Sequence, residues 1–264
     1  DPYSFHFGER KTCVVEPDGG LLLPSRCLDA LCRRAQELGV RLENGEVRSA
    51  TSVGKAVNLR VDNESVHMDR VVVAAGPWTA DLLPGLQPKL RVTRQYPVWL
   101  AAEPIGDGAC QPWIDLDNGY YGVVNAAPGR HLIARHIGGS DTEVDYGIRG
   151  SGCGPDGPVD PEMKKLAAAD GIRQFAGMFK PSAAAEVVDV DVCHYTNTQS
   201  GQFIVDRSPD APNIVSLSAC SGQGFKFAPV SGAHAAALAD DLDLPPAAEE
   251  SSTASSSWPS TEAM

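Results

Sequence analysis

Two apolar segments that each run into glycine constrain the fold of this chain more than any other feature. Residues 71–75 form a continuous apolar run that ends at Gly76, and the mainly apolar segment 214–220 leads into the turn at 221–224. An unbroken apolar run of this length is typical of a strand buried on both faces, as in a parallel sheet between helices. A helix is expected to follow the second turn, over 225–242.

The segment between these two runs has a different pattern, in which short apolar stretches alternate with polar residues. Antiparallel strands are expected at 96–101, 120–125, 132–136 and 187–192, and one helix over 162–179. The sequence therefore predicts a mixed α/β fold class. A partial Rossmann-like layer for binding a nucleotide is interrupted by an antiparallel-sheet substrate domain.

A further helix is predicted upstream of the first apolar run. Ser25 is expected to cap this helix and Gly39 to close it, because Leu28, Leu31 and Leu38 recur at helical spacing between them. Apolar residues at this spacing form a stripe along one side of a helix. We expect the stripe to pack into the protein core.

The charge and the cysteines of the chain exclude some partners. The formal net charge is -12, and an acidic surface repels phosphate backbones, so no nucleic acid partner is expected. No stretch approaches the ~20 apolar residues that cross a bilayer, so no membrane partner is expected. The seven cysteines contain no Cys-x-x-Cys pair, which argues against a zinc or disulfide framework and for a reducing compartment.

The turn after the second apolar run is the strongest candidate for binding chemistry. Gly222 and Gly224 allow a ligand to approach the backbone closely. The N–H groups at the start of the following helix attract an anion or an electron-rich ring. Lys226 opposes the helix dipole there, and a role in binding a carboxylate would explain its position. The same pattern is also consistent with a purely structural turn.

Two further segments carry reactive side chains. Cys193 begins the sequence Cys-His-Tyr-Thr-Asn-Thr, and by itself it is equally consistent with a small buried hydrophobe. Tyr121 and His136 fall on neighbouring expected strands, from which the rings either face one pocket or simply pack in the core. His194 has no partner at ligand spacing, so no metal site is predicted.

Four segments, in their order along the chain, resemble the sarcosine oxidase group of FAD-dependent amine oxidoreductases. This group includes monomeric sarcosine oxidase and N-methyltryptophan oxidase. The matching segments are 18–22 (Asp-Gly-Gly-Leu-Leu), 71–78 (Val-Val-Val-Ala-Ala-Gly-Pro-Trp), 193–207 and 221–226 (Ser-Gly-Gln-Gly-Phe-Lys). No single segment is specific, but their collinear order is.

The resemblance implies a cofactor, FAD, and a set of residues that hold it. In the family's Cys-x-Tyr-Thr motif the cysteine bonds covalently to the flavin, so Cys193 is the expected attachment point. The other cofactor-binding residues that the resemblance implies are Val47, Gly76, Trp78, Thr196, Gly222, Gln223, Gly224, Phe225 and Lys226.

The resemblance also implies a reaction. The C–N bond of a secondary or N-methyl amino acid is oxidised to an imine that hydrolyses, and O2 reoxidises the flavin. Tyr121, His136, Tyr195 and Lys226 are the implied catalytic residues, with Lys226 holding the carboxylate of the small amine substrate.

Departures from the family leave two alternatives open. The family's GxGxxG portion is absent, which implies an N-terminally truncated member, so a non-catalytic fragment is one alternative. Leu132 stands where the family has a lysine for oxygen activation, so a dehydrogenase that uses another electron acceptor is the second. Gln223 replaces a histidine that is common in the glycine turn, a change that backbone contacts tolerate.

The chain is expected to divide into four parts. These are a partial FAD-binding domain over 1–88, a substrate domain over 89–187, a return to the FAD-binding domain over 188–242, and a disordered tail over 243–264. The protein is expected to be a monomer. A cytoplasmic location is expected, because no targeting signal is recognised.

Overall fold

The structure, a computed structural model, describes residues 13–136, 159, 161–179 and 184–241. The expected tail at 243–264 lies outside these residues. Within them the α-helices are α1 (Pro24–Glu37), α2 (Thr79–Leu82), α3 (Pro161–Phe179) and α4 (Gly224–Ala239), and two 3-10 helices span Gly76–Trp78 and Pro84–Lys89. The strands are β1 (Val47–Val53), β2 (Ala56–Val61), β3 (Glu64–Met68), β4 (Val71–Val73), β5 (Arg91–Gln95), β6 (Val98–Ala101), β7 (Gln111–Asp115), β8 (Tyr120–Ala127), β9 (Arg130–Arg135), β10 (Glu186–Val190), β11 (Cys193–Asn197), β12 (Ile204–Ser208) and β13 (Ala211–Ser218).

The two apolar runs lie side by side as parallel strands. β13 pairs with β4 in parallel, with Ile214 opposite Val71, and β12 pairs antiparallel with the other edge of β13. Helix α4 packs against this sheet. Parallel pairing brings the carboxyl ends of β4 and β13 to one edge, which is where ligands bind in open α/β sheets.

A three-stranded antiparallel sheet, β1-β2-β3, covers part of the parallel pair. Val57 of β2 is fully buried and packs in one cluster with Val73, Leu83 and Ile214. Alternation of apolar and polar residues along β2 gives this strand one buried face, as expected for an antiparallel strand.

The middle of the chain forms a five-stranded antiparallel sheet in the order β10-β6-β9-β8-β7. Helix α3 packs against this sheet, and Phe175 of the helix is fully buried with Leu100, Val124 and Ile133 from the strands. One face of the sheet is therefore core, and the other face does not contribute to this cluster. The predicted mixed fold class, with an antiparallel insert between parallel strands, is confirmed.

Helix α1 differs from expectation in two respects. It begins at Pro24, and no side chain caps it, so the predicted Ser25 cap is wrong. Proline at the first position needs no N–H partner and already has a helical φ. The stripe is not core either, since Leu28, Leu31 and Leu38 are 52%, 59% and 65% exposed. A periodic stripe identifies an apolar side of a helix but not what covers it.

Several expected boundaries shift by a few residues. The first expected insert strand begins at Val98 rather than at 96, and the last helix ends at Ala239 rather than at 242. Strands β3, β5, β7, β11 and β12 were not predicted, because short, partly polar strands carry little periodicity. Among the described residues, none of the helices has the length and apolar character that crossing a membrane requires.

Candidate active site

Three aromatic side chains from separate strands meet at one point. Tyr121 lies on β8, His136 follows β9, and Tyr195 lies on β11. The hydroxyl oxygens of Tyr121 and Tyr195 are 2.9 Å apart, and the His136 ring centroid lies 6.5 Å from that of Tyr121 and 5.3 Å from that of Tyr195. The rings that were predicted to face one pocket are thus brought together with Tyr195.

Strand register explains how Tyr121 and His136 come together. Tyr121 pairs with Ala134, which places His136 on the same side of the sheet two residues further along. The His136 N–H donates to the Gly119 carbonyl oxygen at 2.7 Å. Gly122 allows the close pairing, because a Cβ there would lie 2.0 Å from the Leu132 carbonyl oxygen.

Both tyrosines of the cluster are neutral phenols. Burial raises the pKa of Tyr121, an effect that the hydrogen bond with Tyr195 only opposes in part. Burial also raises the pKa of Tyr195, and the neighbouring Tyr121 hydroxyl raises it further. Neither group can act as a base near neutral pH, so each is available there as a hydrogen-bonding phenol.

Cys193 begins the strand that carries Tyr195 and lies on the same face, two residues away. It is paired with Gln95 of β5. Burial raises the pKa of the Cys193 thiol to about 11, and the Asp191 carboxylate adds to the shift. The group is therefore a thiol near neutral pH rather than a thiolate.

The glycine turn contacts the same strand. The Ser221 N–H donates to the Thr196 carbonyl oxygen at 3.0 Å. A Cβ on Gly222 would lie 2.5 Å from the ring of Tyr195, so only glycine fits between the turn and this ring. The sequence predicted that Gly222 lets a ligand approach the backbone closely. In the structure the group that lies close to Gly222 is the ring of Tyr195.

The backbone of this turn is strained. Ala219 and Ser221 have φ of 56° and 47°, although neither is glycine, and Gly222 has φ of 76°. Each left-handed non-glycine residue costs about 1–2 kcal/mol, and such strain clusters at functional sites. At the end of β4, Gly76 also has a positive φ of 52°, and nothing lies within 4 Å of the position of its missing Cβ.

These two strand ends fit a nucleotide cofactor. They are adjacent and parallel, and both continue into turns with positive φ that expose backbone groups. The 3-10 helix Gly76–Trp78 packs against β11, so the first turn is also close to the strand of Cys193 and Thr196. Gln223 donates its N–H to the Cys220 carbonyl oxygen, which fixes the start of α4.

Three of the predicted residues have exposed side chains. Lys226 is exposed on the first turn of α4, and its ammonium nitrogen lies 5.3 Å from the ring centroid of Phe227. Phe225 is likewise exposed. Val47 begins β1 in the three-stranded sheet and is 39% exposed. Among the described residues no group of His, Cys, Asp and Glu could hold a metal ion.

The structure adds residues that sequence reasoning missed. The Trp99 Nε1–H donates to the Asp191 carboxylate at 2.8 Å, which ties β6 to the segment before Cys193. Behind Tyr195, the Asn197 amide donates to the Thr93 hydroxyl at 3.1 Å, and Gln95 donates to the same hydroxyl at 2.9 Å. The contacts of Trp99 with Asp191 and of Asn197 with Thr93 join residues 92 and 104 positions apart, so local pattern contains no signal for them.

Comparison with known proteins gives a family match over most of the chain. The model of a family described as FAD dependent oxidoreductase matches residues 5–238. The chain is 28% identical over 229 residues to peroxisomal sarcosine oxidase of Homo sapiens, and 26% identical over 230 residues to monomeric sarcosine oxidase of Bacillus sp. (strain NS-129). These alignments cover 83% and 86% of this chain but 56% and 58% of the two relatives. The chain thus spans just over half their length.

Solved structures show the same fold. The amino acid oxidase NikD, in its open form, has a TM-score of 0.64 at 19% identity, covering 83% of this chain and 57% of that one. Glycine oxidase from Geobacillus kaustophilus has a TM-score of 0.63 at 20% identity, covering 81% and 53%. At this level of identity the similarity is one of fold alone.

Proposed function

Because the chain belongs to the FAD dependent oxidoreductase family, whose model matches residues 5–238, we propose that the protein oxidises the C–N bond of a secondary or N-methyl amino acid. The product is an imine that water hydrolyses. The observation that carries the proposal is the meeting of Tyr121, His136 and Tyr195 beside Cys193 and the glycine turn. Similarity to sarcosine oxidases supports this substrate class.

FAD is the proposed cofactor, held where β4 and β13 end. Its backbone partners are Gly76 and Trp78 on one turn and residues 222–226 on the other, with Thr196 alongside and Val47 towards the adenine end. When bound, FAD supplies the acceptor for the hydride that leaves the substrate carbon. The remaining chemistry belongs to the side chains of this chain.

Lys226 is proposed to bind the substrate carboxylate, since it lies four residues after Gly222 and so follows the turn that touches Tyr195. The neutral phenols of Tyr121 and Tyr195 orient the substrate by hydrogen bonds, and His136 accepts the proton that the amine must lose.

Lys226→Met is expected to raise KM for carboxylated amines by about 10–100-fold, the range for a charged hydrogen bond. Lys226→Arg keeps the charge and is the matched control.

Cys193 is proposed to hold the flavin covalently through its 8α-methyl carbon. Attachment would break one S–H and one C–H bond and form an S–C bond, a two-electron oxidation in which two protons would go to solvent and two electrons to O2, the acceptor of the proposed reaction. The flavin is expected to stay with the protein after acid precipitation and to be released in Cys193→Ser. Cys220→Ser is the control, because Cys220 is a second partly buried thiol at the glycine turn. Release of all flavin from the unmodified protein would refute the bond.

A second candidate function is that of a dehydrogenase, which differs from the main proposal only in its electron acceptor. O2 is the acceptor in the main proposal. Leu132 faces the same side of the sheet as Tyr121, so an apolar group stands where a cation would stabilise developing negative charge on oxygen. Oxygen consumption and dye reduction, measured with sarcosine on the FAD-loaded full-length protein, separate the two. Turnover with neither acceptor for any N-methyl amino acid would refute the proposal.

The proposal also includes the domain limits. Residues 1–88 and 188–242 are proposed to bind FAD, and residues 89–187 to bind the substrate. We also propose a cytoplasmic monomer. Size-exclusion chromatography with light scattering tests the oligomeric state, and cell fractionation tests the location.

A further inference from the structure

The two-stranded sheet of β5 and β11 carries buried polar side chains beside the site. Strand register pairs Gln95 with Cys193 and Thr93 with Tyr195. Paired residues of an antiparallel sheet point to the same side, as do residues two positions apart on one strand, so Asn197 shares this face. Gln95 and Asn197 are fully buried, and Thr93 is 1% exposed. The face that carries the proposed site residues of β11 therefore also carries three buried polar groups.

Thr93 is the centre of a hydrogen-bond network on this face. Its hydroxyl oxygen accepts from the Gln95 amide at 2.9 Å and from the Asn197 amide at 3.1 Å. The same Asn197 nitrogen donates to the Arg91 carbonyl oxygen at 3.1 Å. A hydroxyl oxygen has two lone pairs, so Thr93 can accept from both amides at once. The network thus joins β5 to β11 through side chains, in addition to the backbone pairing of the two strands.

Burial makes these hydrogen bonds decisive for the orientation of the two amides. Neither amide is exposed to solvent, so water cannot replace a hydrogen bond that either one loses. The Asn197 Oδ1 atom has no partner among the residues that the structure describes, so only the nitrogen of that amide fixes its orientation. Loss of the Thr93 hydroxyl would therefore remove a contact that orients both amides.

Gln95 connects the network to the Cys193 thiol. The Cβ atoms of directly paired residues are about 4.5–5.5 Å apart, so the Gln95 side chain is a direct neighbour of Cys193. A bond-forming step requires that the attacking atom approach in one direction, and a misplacement of about 1 Å can lower its rate about 100-fold. The orientation of Gln95 therefore bears on how well the thiol is placed for such a step.

We propose that Thr93 is a positioning residue that, through the Gln95 amide, holds the Cys193 thiol in the place from which it bonds to the flavin. The inference rests on the proposed function and adds one residue to it. In that step the Cys193 S–H bond and one C–H bond of the flavin 8α-methyl group break and an S–C bond forms, while two protons go to solvent and two electrons to O2. Thr93 takes no part in these bond changes and acts only by holding its neighbours.

The first measurement is the rate at which added FAD becomes covalently bound to flavin-free, full-length protein. Thr93→Val keeps the branched shape of the side chain but removes its hydroxyl. It is expected to slow attachment about tenfold at saturating FAD, with less than about twofold change in the Kd for FAD. Flavin that stays with the protein after acid precipitation, followed over time, gives the rate. Thr93→Ser keeps the hydroxyl and should restore the rate of the unmodified protein.

The second measurement, alkylation of Cys193 by iodoacetamide in flavin-free protein, does not depend on the cofactor. A small reagent reaches a thiol from several directions, so a loosened neighbour should raise its rate. Thr93→Val is expected to be alkylated about tenfold faster relative to Cys13, the size of one lost buried hydrogen bond. Thr79→Val is the matched control, because Thr79 is equally buried and accepts from the Ser218 hydroxyl at 3.1 Å, but lies on α2. It should leave the Cys193 rate unchanged.

The outcomes separate this inference from the proposed function. An unchanged attachment rate in Thr93→Val, or equal changes in Thr93→Val and Thr79→Val, would overturn the inference and leave the proposed function standing. Gln95→Met removes the amide at nearly constant length and should slow attachment in the same way, which covers a folding defect in Thr93→Val. Failure of the unmodified protein to attach flavin would overturn the proposed bond at Cys193, and the role of Thr93 with it.

Discussion

At the scale of single residues, the site depends on burial more than on charge. Burial raises the pKa of Tyr121, of Tyr195 and of the Cys193 thiol further above neutral, because it disfavours their ionised forms. A group that is kept neutral by burial can donate a hydrogen bond where an ionised one cannot. The arrangement favours orientation of a substrate over proton removal by the phenols.

The reactivity of Cys193 is expected to depend steeply on pH. Because burial raises the pKa of this thiol to about 11, its alkylation by iodoacetamide in flavin-free protein should accelerate about tenfold per pH unit from 8 to 10. Mass spectrometry of the Cys193 peptide gives the rate, with exposed Cys13 as internal reference. Asp191→Asn should shift the profile to lower pH, since it removes a repelling charge. A profile that levels off near pH 8 would contradict the assignment.

A pair of glycine substitutions isolates the contact between the turn and Tyr195. Gly222 and Gly201 have φ of 76° and 72°, but a Cβ meets the Tyr195 ring only at Gly222 and meets nothing within 4 Å at Gly201. Both alanine variants lose about 1–2 kcal/mol to backbone strain. Gly222→Ala should lose a further 1–3 kcal/mol, roughly, from overpacking. Urea unfolding measures the difference in the free energy of unfolding. Equal losses in the two variants would show that the contact between Gly222 and Tyr195 does not affect stability.

At the scale of elements, α3 and the five-stranded sheet form the best-packed part of the molecule. Phe175 is fully buried, and its ring centroid lies 5.0 Å from those of both His131 and Phe179. This packing fixes one face of the sheet. The opposite face carries Tyr121.

Two alanine substitutions on α3 should differ strongly in effect. Phe175→Ala is expected to lower the free energy of unfolding by about 3–5 kcal/mol, because it removes a buried ring and leaves a cavity. Leu166→Ala, on the same helix but 53% exposed, should change it by less than about 1 kcal/mol. Urea unfolding followed by tryptophan fluorescence measures both values. A small effect of Phe175→Ala would mean that α3 is not packed as the structure shows.

At the scale of the whole molecule, the last helix is tied to strands from distant parts of the chain. Asp241, just after α4, pairs with Arg70, which precedes β4, at 2.6 Å, and with Arg207 of β12 at 2.5 Å. Arg207 also donates to the Leu238 carbonyl oxygen at 2.7 Å, near the end of α4. These contacts hold the helix that follows the glycine turn in its place on the parallel sheet.

The contribution of Asp241 to stability should depend on pH. The hydrogen bond from Arg70 is the main cause that lowers the pKa of Asp241, and the charges of Arg70 and Arg207 add to it. The stabilisation that a lowered folded-state pKa gives is fully present above the unfolded value of about 3.9 and is lost as the pH falls through the folded value. Asp241→Asn should therefore lower Tm at pH 7 and lower it less at pH 3. Asp240→Asn is the control, and an equal effect of both would indicate a nonspecific charge effect.

The sequence by itself determined the helices, strands and turns whose pattern lies within one continuous stretch of the chain. The apolar segments at 71–75 and 214–220, the glycine turn and the long helices follow from local periodicity and turn chemistry, and the collinear order of four short segments indicated the family. Local sequence also placed Tyr121 and His136 on neighbouring strands. It failed for α1, whose apolar stripe is exposed.

Only the tertiary structure decided which residues meet across the molecule. The contact of Tyr121 with Tyr195 and the bond from Trp99 to Asp191 join residues separated by 74 and 92 positions. Such contacts depend on strand register, and a shift by one residue would turn every side chain to the opposite face. Register is set by the packing of α3 on one face and by the pairing of distant strands, which no short stretch of sequence contains.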